Sequence, residues 1–193
     1  MQPLLIQPND TVGGIVSPKT FHYDLSVLKD TLAIDKLAVI DVETNGLDSY
    51  KSNSICGIGV GEAKHGGLMQ YYPFRHHQGE NLSQEQLREL ITYLNTLDSF
   101  VGYNIKFDLH FLTDEGLLVK GKKLIDVIVM VRLTEHSDIR ELALTPTGKR
   151  RYGIESVQYD IDTKKQLRAY KWDKDFSMSP PGFLGEYCKK DVD

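Results

Sequence analysis

Several familiar routes to function are closed by what this sequence lacks. It holds two cysteines, Cys56 and Cys188, far apart and without metal-ligand spacing, so no zinc or iron–sulfur framework is built from thiols. Buried or free thiols in a reducing compartment are the expected state. No apolar run is long enough to span a bilayer. Residues 1–20 lack the basic start and apolar centre of a signal peptide, which places the protein in the cytoplasm. There is no surplus of positive charge: the net charge is −4, so the surface as a whole does not attract nucleic acid. A site that concentrates acids and binds cations reverses its own local sign, and DNA is therefore not excluded. No internal repeat or low-complexity tract is present.

What remains is the composition of a globular domain, 40% hydrophobic and 26% charged over 193 residues, enough for one sizeable core. Residues 1–20, with Pro3, Pro8, Pro18 and Gly13-Gly14, read as a flexible arm before a domain at 21–193. Phe21–Leu25 reads as a short edge strand and Ser26–Leu32 as a helix. Leu37–Glu43 is a strand, and Ile55–Gly61 and Gly67–Phe74 read as its two antiparallel neighbours. Ser83 and Gln86 form a capping box ahead of Leu87, Leu90, Ile91, Leu94 and Leu97 at helical spacing. A short strand at Ser99–Tyr103 and a helix at Lys106–Glu115, closed by Gly116, follow. Asp126–Glu135 is apolar on nearly all sides and reads as a buried helix, with a long strand as the rival. Pro180-Pro181-Gly182 punctuates the chain before a last helix from Phe183. The order of strands and helices predicts an α/β fold, a mixed sheet with helices packed on it.

Two segments carry charge or imidazole without a clear role. His65, His76 and His77 fall in polar loops and read as solvated. Between Thr147 and Lys174, eight basic residues face four acids, a local +4 interleaved with Tyr152, Tyr159, Tyr170 and Trp172. Basic and aromatic side chains together suit phosphates and unstacked bases, although a solvated surface has the same composition.

Chemistry concentrates in three places. In Ala38-Val39-Ile40-Asp41-Val42-Glu43-Thr44-Asn45-Gly46-Leu47, strand alternation points Asp41 and Glu43 to one face. Two adjacent anions there repel each other, a cost that a divalent cation between them removes. In Gly102-Tyr103-Asn104-Ile105-Lys106-Phe107-Asp108, Asn104 suits a helix N-cap and Asp108 lies in the first turn, where the helix dipole favours an anion. In Tyr187-Cys188-Lys189-Lys190-Asp191, the phenol and the carboxylate at i and i+4 share a helix face.

Asp41-x-Glu43, Asn104-x-x-x-Asp108 and Tyr187-x-x-x-Asp191, in that order, make the motif set of the DEDD nucleases in its tyrosine form. The chain resembles a DnaQ-like 3′–5′ exonuclease domain, and most nearly the proofreading domain of family A (Pol I-like) DNA polymerases. The match runs from about Phe21 onward and is poor from Thr145 to Ser179. The resemblance implies an RNase H-like mixed five-stranded sheet with helices on it. It also implies two divalent cations, Mg²⁺ or Mn²⁺, clamping a phosphate, with Asp41 bridging both. Glu43 and Asp191 would complete one ion site, and Asp108 would serve the other through water. Tyr187 would orient the attacking water. Thr44, Leu47, Asn104 and Phe107 match positions near the terminal nucleotide, Leu47 as an apolar wedge.

The expected activity is thus removal of nucleoside monophosphates from the 3′ end of single-stranded or frayed DNA. The expected setting is proofreading in a bacterial or viral replication enzyme, by a monomer cut off before a covalently linked polymerase domain, with no membrane partner. Two alternatives share the residues. One is an exoribonuclease of the RNase D kind; the other is an exonuclease-like module that binds nucleic acid without cleaving it.

Overall fold

A computed structural model describes residues 23–48, 50, 54–135 and 139–192. The proposed arm at 1–20 and the first two residues of the Phe21–Leu25 segment lie outside these residues. Five strands form one mixed sheet: β1 (Leu37–Thr44), β2 (Ile55–Gly61), β3 (Met69–Pro73), β4 (Ser99–Gly102) and β5 (Lys123–Asp126), in the order β3-β2-β1-β4-β5. β1 is central, antiparallel to β2 and parallel to β4. β3 pairs with β2 and not with β1, so only one of the two expected antiparallel neighbours is a direct one. β5, four residues long and bounded by a charged edge, had no strand signature in the sequence; it pairs parallel with β4.

The helices are α1 (Leu25–Leu32), α2 (Gln84–Leu94), α3 (Ile105–Asp114), α4 (Val127–Thr134), α5 (Leu144–Tyr152), α6 (Gln158–Ala169) and α7 (Pro181–Val192). Strand alternation splits β1 between two cores. Ala38, Ile40 and Val42 face the larger one, with Leu28 and Leu32 of α1, Leu87, Leu90, Ile91 and Leu94 of α2, and Leu109 and Leu112 of α3. The capping box at Ser83 and Gln86 is formed as expected. Each fully buried leucine contributes about 1.5–3 kcal/mol relative to exposure. Two residues past the end of α3, Gly116, with a φ of 102°, permits the Leu117 N–H to reach the Leu112 carbonyl at 2.9 Å.

Two expectations fail here for want of a partner surface. Tyr23 and Asp24 join no strand: Tyr23 stacks edge-on to Tyr72 at 6.2 Å and Asp24 caps α1 through the Ser26 N–H. The helix at Val127–Thr134 is not buried, since Val131 alone reaches the core while Val129, Met130 and Leu133 are exposed. It follows the sheet's edge strand, so only one stripe of it meets a neighbour among the described residues.

The second face of the sheet receives α7, and a tyrosine governs how closely. Cys56, Tyr71, Leu184, Tyr187 and Cys188 make a small buried cluster there, with Val39, Met69 and Phe176 against it. The ring of Tyr71 fills the space a side chain would take at both Gly57 of β2 and Gly185 of α7; an added Cβ would lie 1.9 Å from the Tyr71 hydroxyl at Gly57 and 2.8 Å from its ring at Gly185. The hydroxyl of Tyr71 meets His76 Nε2 at 3.0 Å, and His76 Nδ1 meets the Ser179 carbonyl at 2.9 Å. A carbonyl only accepts, so Nδ1 carries the proton and Nε2 accepts from the phenol. His76 is therefore buried and structural rather than solvated, while His65 and His77 are exposed as expected. Burial holds its pKa below the ordinary histidine value. α7 begins at Pro181, ahead of the expected Phe183, because proline suits the first helical turn.

Gly57→Ala is expected to push Tyr71 out of its slot and loosen α7, destabilising the protein by about 1–3 kcal/mol, a value typical of overpacking. Chemical denaturation checks this, and an unchanged midpoint would show that the ring has room to move.

Candidate active site

β1 presents Asp41 and Glu43 on the face that receives α7, opposite Gly59 and Gly57 of β2. The pairing register shifts between Glu43 and Thr44, an irregularity that turns the end of the strand. Glu43 is 4% exposed and Asp41 half-buried. Asp108 arrives from α3 at the carboxyl end of the parallel strands, 2% exposed, and its Oδ1 accepts the backbone N–H of Val42 at 2.9 Å. That bond fastens α3 to β1 between the other two acids.

Asn104 starts α3, but not as the expected cap. Its backbone is left-handed (φ 61°, ψ 44°), and its side chain makes no capping bond. Asp126 supplies the hold instead: its Oδ1 accepts the Asn104 N–H at 2.9 Å and the Ile128 N–H at 3.1 Å, capping α4 as well. A non-glycine residue in this region costs on the order of 1 kcal/mol and is kept only where its surroundings enforce it.

The third limb is α7. Tyr187 is buried, and its hydroxyl donates to Asp160 of α6 at 3.1 Å. Asp191 lies close enough to the phenol for its charge to raise the phenol's pKa, second only to burial, so Tyr187 stands between two carboxylates. Cys188, fully buried, donates its thiol to Asp41 Oδ2 at 3.4 Å. Ligand atoms of Asp41, Glu43 and Cys188 all lie within 4.8 Å of one another. Cys188 had no assigned role from sequence, although it stands three residues before Asp191 and so shares its helix face.

The electrostatics follow from burying like charges together. Asp41 and Asp191 are each pushed up to about 8 and Asp108 to about 7, while Glu43 stands well above the usual carboxylate range. Burial is the largest cause in every case; repulsion from Asp108 adds at Asp41, and from Asp41 at both Glu43 and Asp191. Lys164 of α6 is the cation that pulls Glu43 and Asp191 back down. Burial and the surrounding acids also raise Tyr187 and Cys188, so the phenol stays protonated and the thiol is no thiolate. Four hard oxygen donors held against their own repulsion fit divalent cations such as Mg²⁺ or Mn²⁺. The thiol beside Asp41 is a softer group than such ions prefer.

The outer residues separate into two sets. Thr44 is buried, with its hydroxyl donating to the Gly46 carbonyl at 2.6 Å, and Phe107 packs half-buried against Phe111 at 5.1 Å. Leu47 is 86% exposed and Asn104 is exposed beyond the strand end. Much of the basic and aromatic stretch is engaged internally. Arg150 and Arg151 both pair with Glu135, Lys165 pairs with Asp162, and Tyr170 stacks on Trp172 at 4.7 Å. Asp160 and Lys164, in a stretch whose composition suits either phosphate contact or a solvated surface, face Tyr187 and the acids.

A sequence profile of the RNase H superfamily matches residues 38–192. The chain is also similar to the DNA polymerase I of a Synechocystis species, 28% identical over 158 residues. That alignment covers 78% of this chain and 15% of the polymerase.

The sign of the pH dependence without metal follows from the raised acids. Unfolded, these carboxyls titrate near 4. Between 4 and 8 the folded chain holds protons that the unfolded chain has released, so stability falls as pH rises through that window. Between pH 7 and 9 the melting temperature in EDTA is expected to fall. Asp41→Asn is expected to raise it at pH 8.5 by about 2–4 °C, the equivalent of roughly 1 kcal/mol. Mn²⁺ should stabilise the unmodified chain more than this variant. A melting temperature flat in pH, or a destabilised variant, would contradict the repulsion.

Proposed function

The chain belongs to the RNase H superfamily, and from that premise we propose that it is a metal-dependent 3′–5′ exonuclease acting on single-stranded or frayed DNA. The observation that carries the reading is the meeting of Asp41, Glu43, Asp108 and Asp191, from three separate elements, beside a protonated tyrosine. RNase H-like nucleases use divalent metals. Bound by these four acids, Mg²⁺ or Mn²⁺ would neutralise a phosphate's charge and lower the pKa of water.

The chain's own groups do the rest. Asp41 and Glu43, on a strand paired on both sides, give a rigid floor. Asp108 is oriented by the Val42 N–H. Tyr187, held protonated by burial, is no base; its part is to orient a water. Hydrolysis joins the water oxygen to phosphorus as the bond from phosphorus to the 3′ oxygen breaks. The leaving oxygen takes up a proton, and the water's remaining proton goes to solvent. Exposed Leu47 is suited to wedge against the last base, and Asn104 to contact the terminal nucleotide. Wedging and stacking tolerate any base, which suits trimming without sequence preference.

Likeness to part of a DNA polymerase I supports DNA over RNA and a proofreading setting, with a polymerase domain as partner. Incubation with 5′-labelled single-stranded DNA in Mg²⁺ should give a ladder shortened from the 3′ end, and EDTA should abolish it. Matched RNA should be cut more slowly. Asp41→Ala with Glu43→Ala should lower the rate by about 10³-fold or more. Tight binding of the strand without release of nucleotides in Mg²⁺ or Mn²⁺ would favour a non-catalytic module instead.

A further inference from the structure

The segment that fits the exonuclease pattern least, between Thr145 and Ser179, is the one that reaches Tyr187. α6 carries Asp160 and Lys164 one turn apart on the same helix face. Asp160 Oδ1 accepts the Tyr187 hydroxyl at 3.1 Å and lies 2.8 Å from Lys164 Nζ. Its Oδ2 accepts from Thr145 at 2.5 Å and from Lys164 at 3.0 Å. Lys164 also donates to the Thr145 hydroxyl at 2.9 Å, which closes a ring of carboxylate, ammonium and hydroxyl. Both carboxylate oxygens are therefore occupied, and the carboxylate is largely shielded from solvent, its side chain only 14% exposed.

A solvated surface ion pair needs no such fixing, and one this exposed at only one end would be worth little by itself. Its arrangement makes sense through the phenol. A tyrosine hydroxyl has a single proton to give. With that proton on Asp160, the lone pairs of the oxygen are left for a donor on the other side. With that proton on Asp191, the same oxygen would be turned away from such a donor.

We propose that Asp160 and Lys164 are positioning residues for Tyr187. Asp160 takes the phenol's proton so that the oxygen faces the acid cluster as a hydrogen-bond acceptor for the attacking water, and Lys164, braced by Thr145, anchors Asp160 in that pose. The assignment rests on the nuclease reading of the site and adds two residues and a direction of hydrogen bonding to it. Lys164 has a second consequence: it sets a fixed positive charge beside Glu43 and Asp191, where the substrate's phosphate would lie.

Two readouts test this, one of them independent of turnover. In metal-free protein labelled at the phenol carbon (¹³Cζ-tyrosine), Tyr187→Phe assigns the Tyr187 resonance. Asp160→Asn and Lys164→Gln should each move that resonance and leave those of the other tyrosines in place. On a single-stranded DNA oligonucleotide in Mg²⁺, Asp160→Asn should lower kcat by about 10–100-fold with KM within about twofold, the size typical of supporting residues. Added to Tyr187→Phe, it should lower kcat no further. A resonance that stays put, or effects of Asp160→Asn and Tyr187→Phe that multiply, overturns the proposal. If the unmodified chain hydrolyses nothing, the nuclease reading fails alone, and the resonance still decides whether Asp160 holds the phenol.

Discussion

The constraint on which the rest of this structure depends is the burial of like charges. Glu43 and Asp108 are almost wholly inside, and Asp41 and Asp191 are half-buried, each raising the proton affinity of its neighbours. A protein tolerates such a cluster only where other groups hold each carboxyl in place. The Val42 N–H does so for Asp108 and the Cys188 thiol for Asp41. One cation, Lys164, reaches both Glu43 and Asp191. Among the described residues the cluster is thus supported by two neutral donors and the positive charge of Lys164, which leaves it suited to more positive charge of small radius. That suitability is the physical content of a divalent metal site, and it stands apart from any family likeness.

The cluster also explains why the small second core matters more than its size suggests. α7 delivers Tyr187, Cys188 and Asp191 together, so its distance from β1 sets the geometry of the third limb. Gly57 and Gly185 allow the Tyr71 ring to lie between helix and sheet, and His76 ties that ring's hydroxyl to Ser179, two residues ahead of the helix. Packing at the β2–β3 side of the sheet is in this way coupled to the placement of Asp191 at the C-terminal end of α7. A glycine in β2, with no side chain to offer the chemistry, becomes a residue on which the site depends.

Much of this was legible in the chain, and the limit has a physical description. Asp41 with Glu43 and Tyr187 with Asp191 obey local periods of strand and helix, so their shared faces could be read directly. The capping box at Ser83 is equally local. What failed was whatever depends on a neighbour remote in sequence. The apolar stretch at Val127–Thr134 has the pattern of a buried helix, yet at the edge of the sheet only Val131 finds a core to enter. His76 has the sequence surroundings of a loop histidine, and is buried only because Ser179 and Tyr71 close over it. Asn104 sits where a cap belongs, but the hold comes from Asp126, a residue at the end of a strand too short and too polar to announce itself.

Asp160 and Lys164 are the sharpest instance, because composition did not distinguish them from the charges around them. Within a stretch of alternating charges, an i,i+4 acid–base pair is the ordinary mark of a solvated helix face. The local excess of positive charge there suits phosphates, and part of it pairs within the chain with Glu135 and Asp162. The lysine that matters is not one of the conspicuous run at 149–151 but the one whose partner carboxylate faces a phenol 27 residues further on. A segment can therefore diverge from its family in pattern and still serve the site, provided it brings the positive charge that the buried acids lack and an acceptor for the phenol beside them. In this chain the divergent stretch supplies both from a single turn of α6.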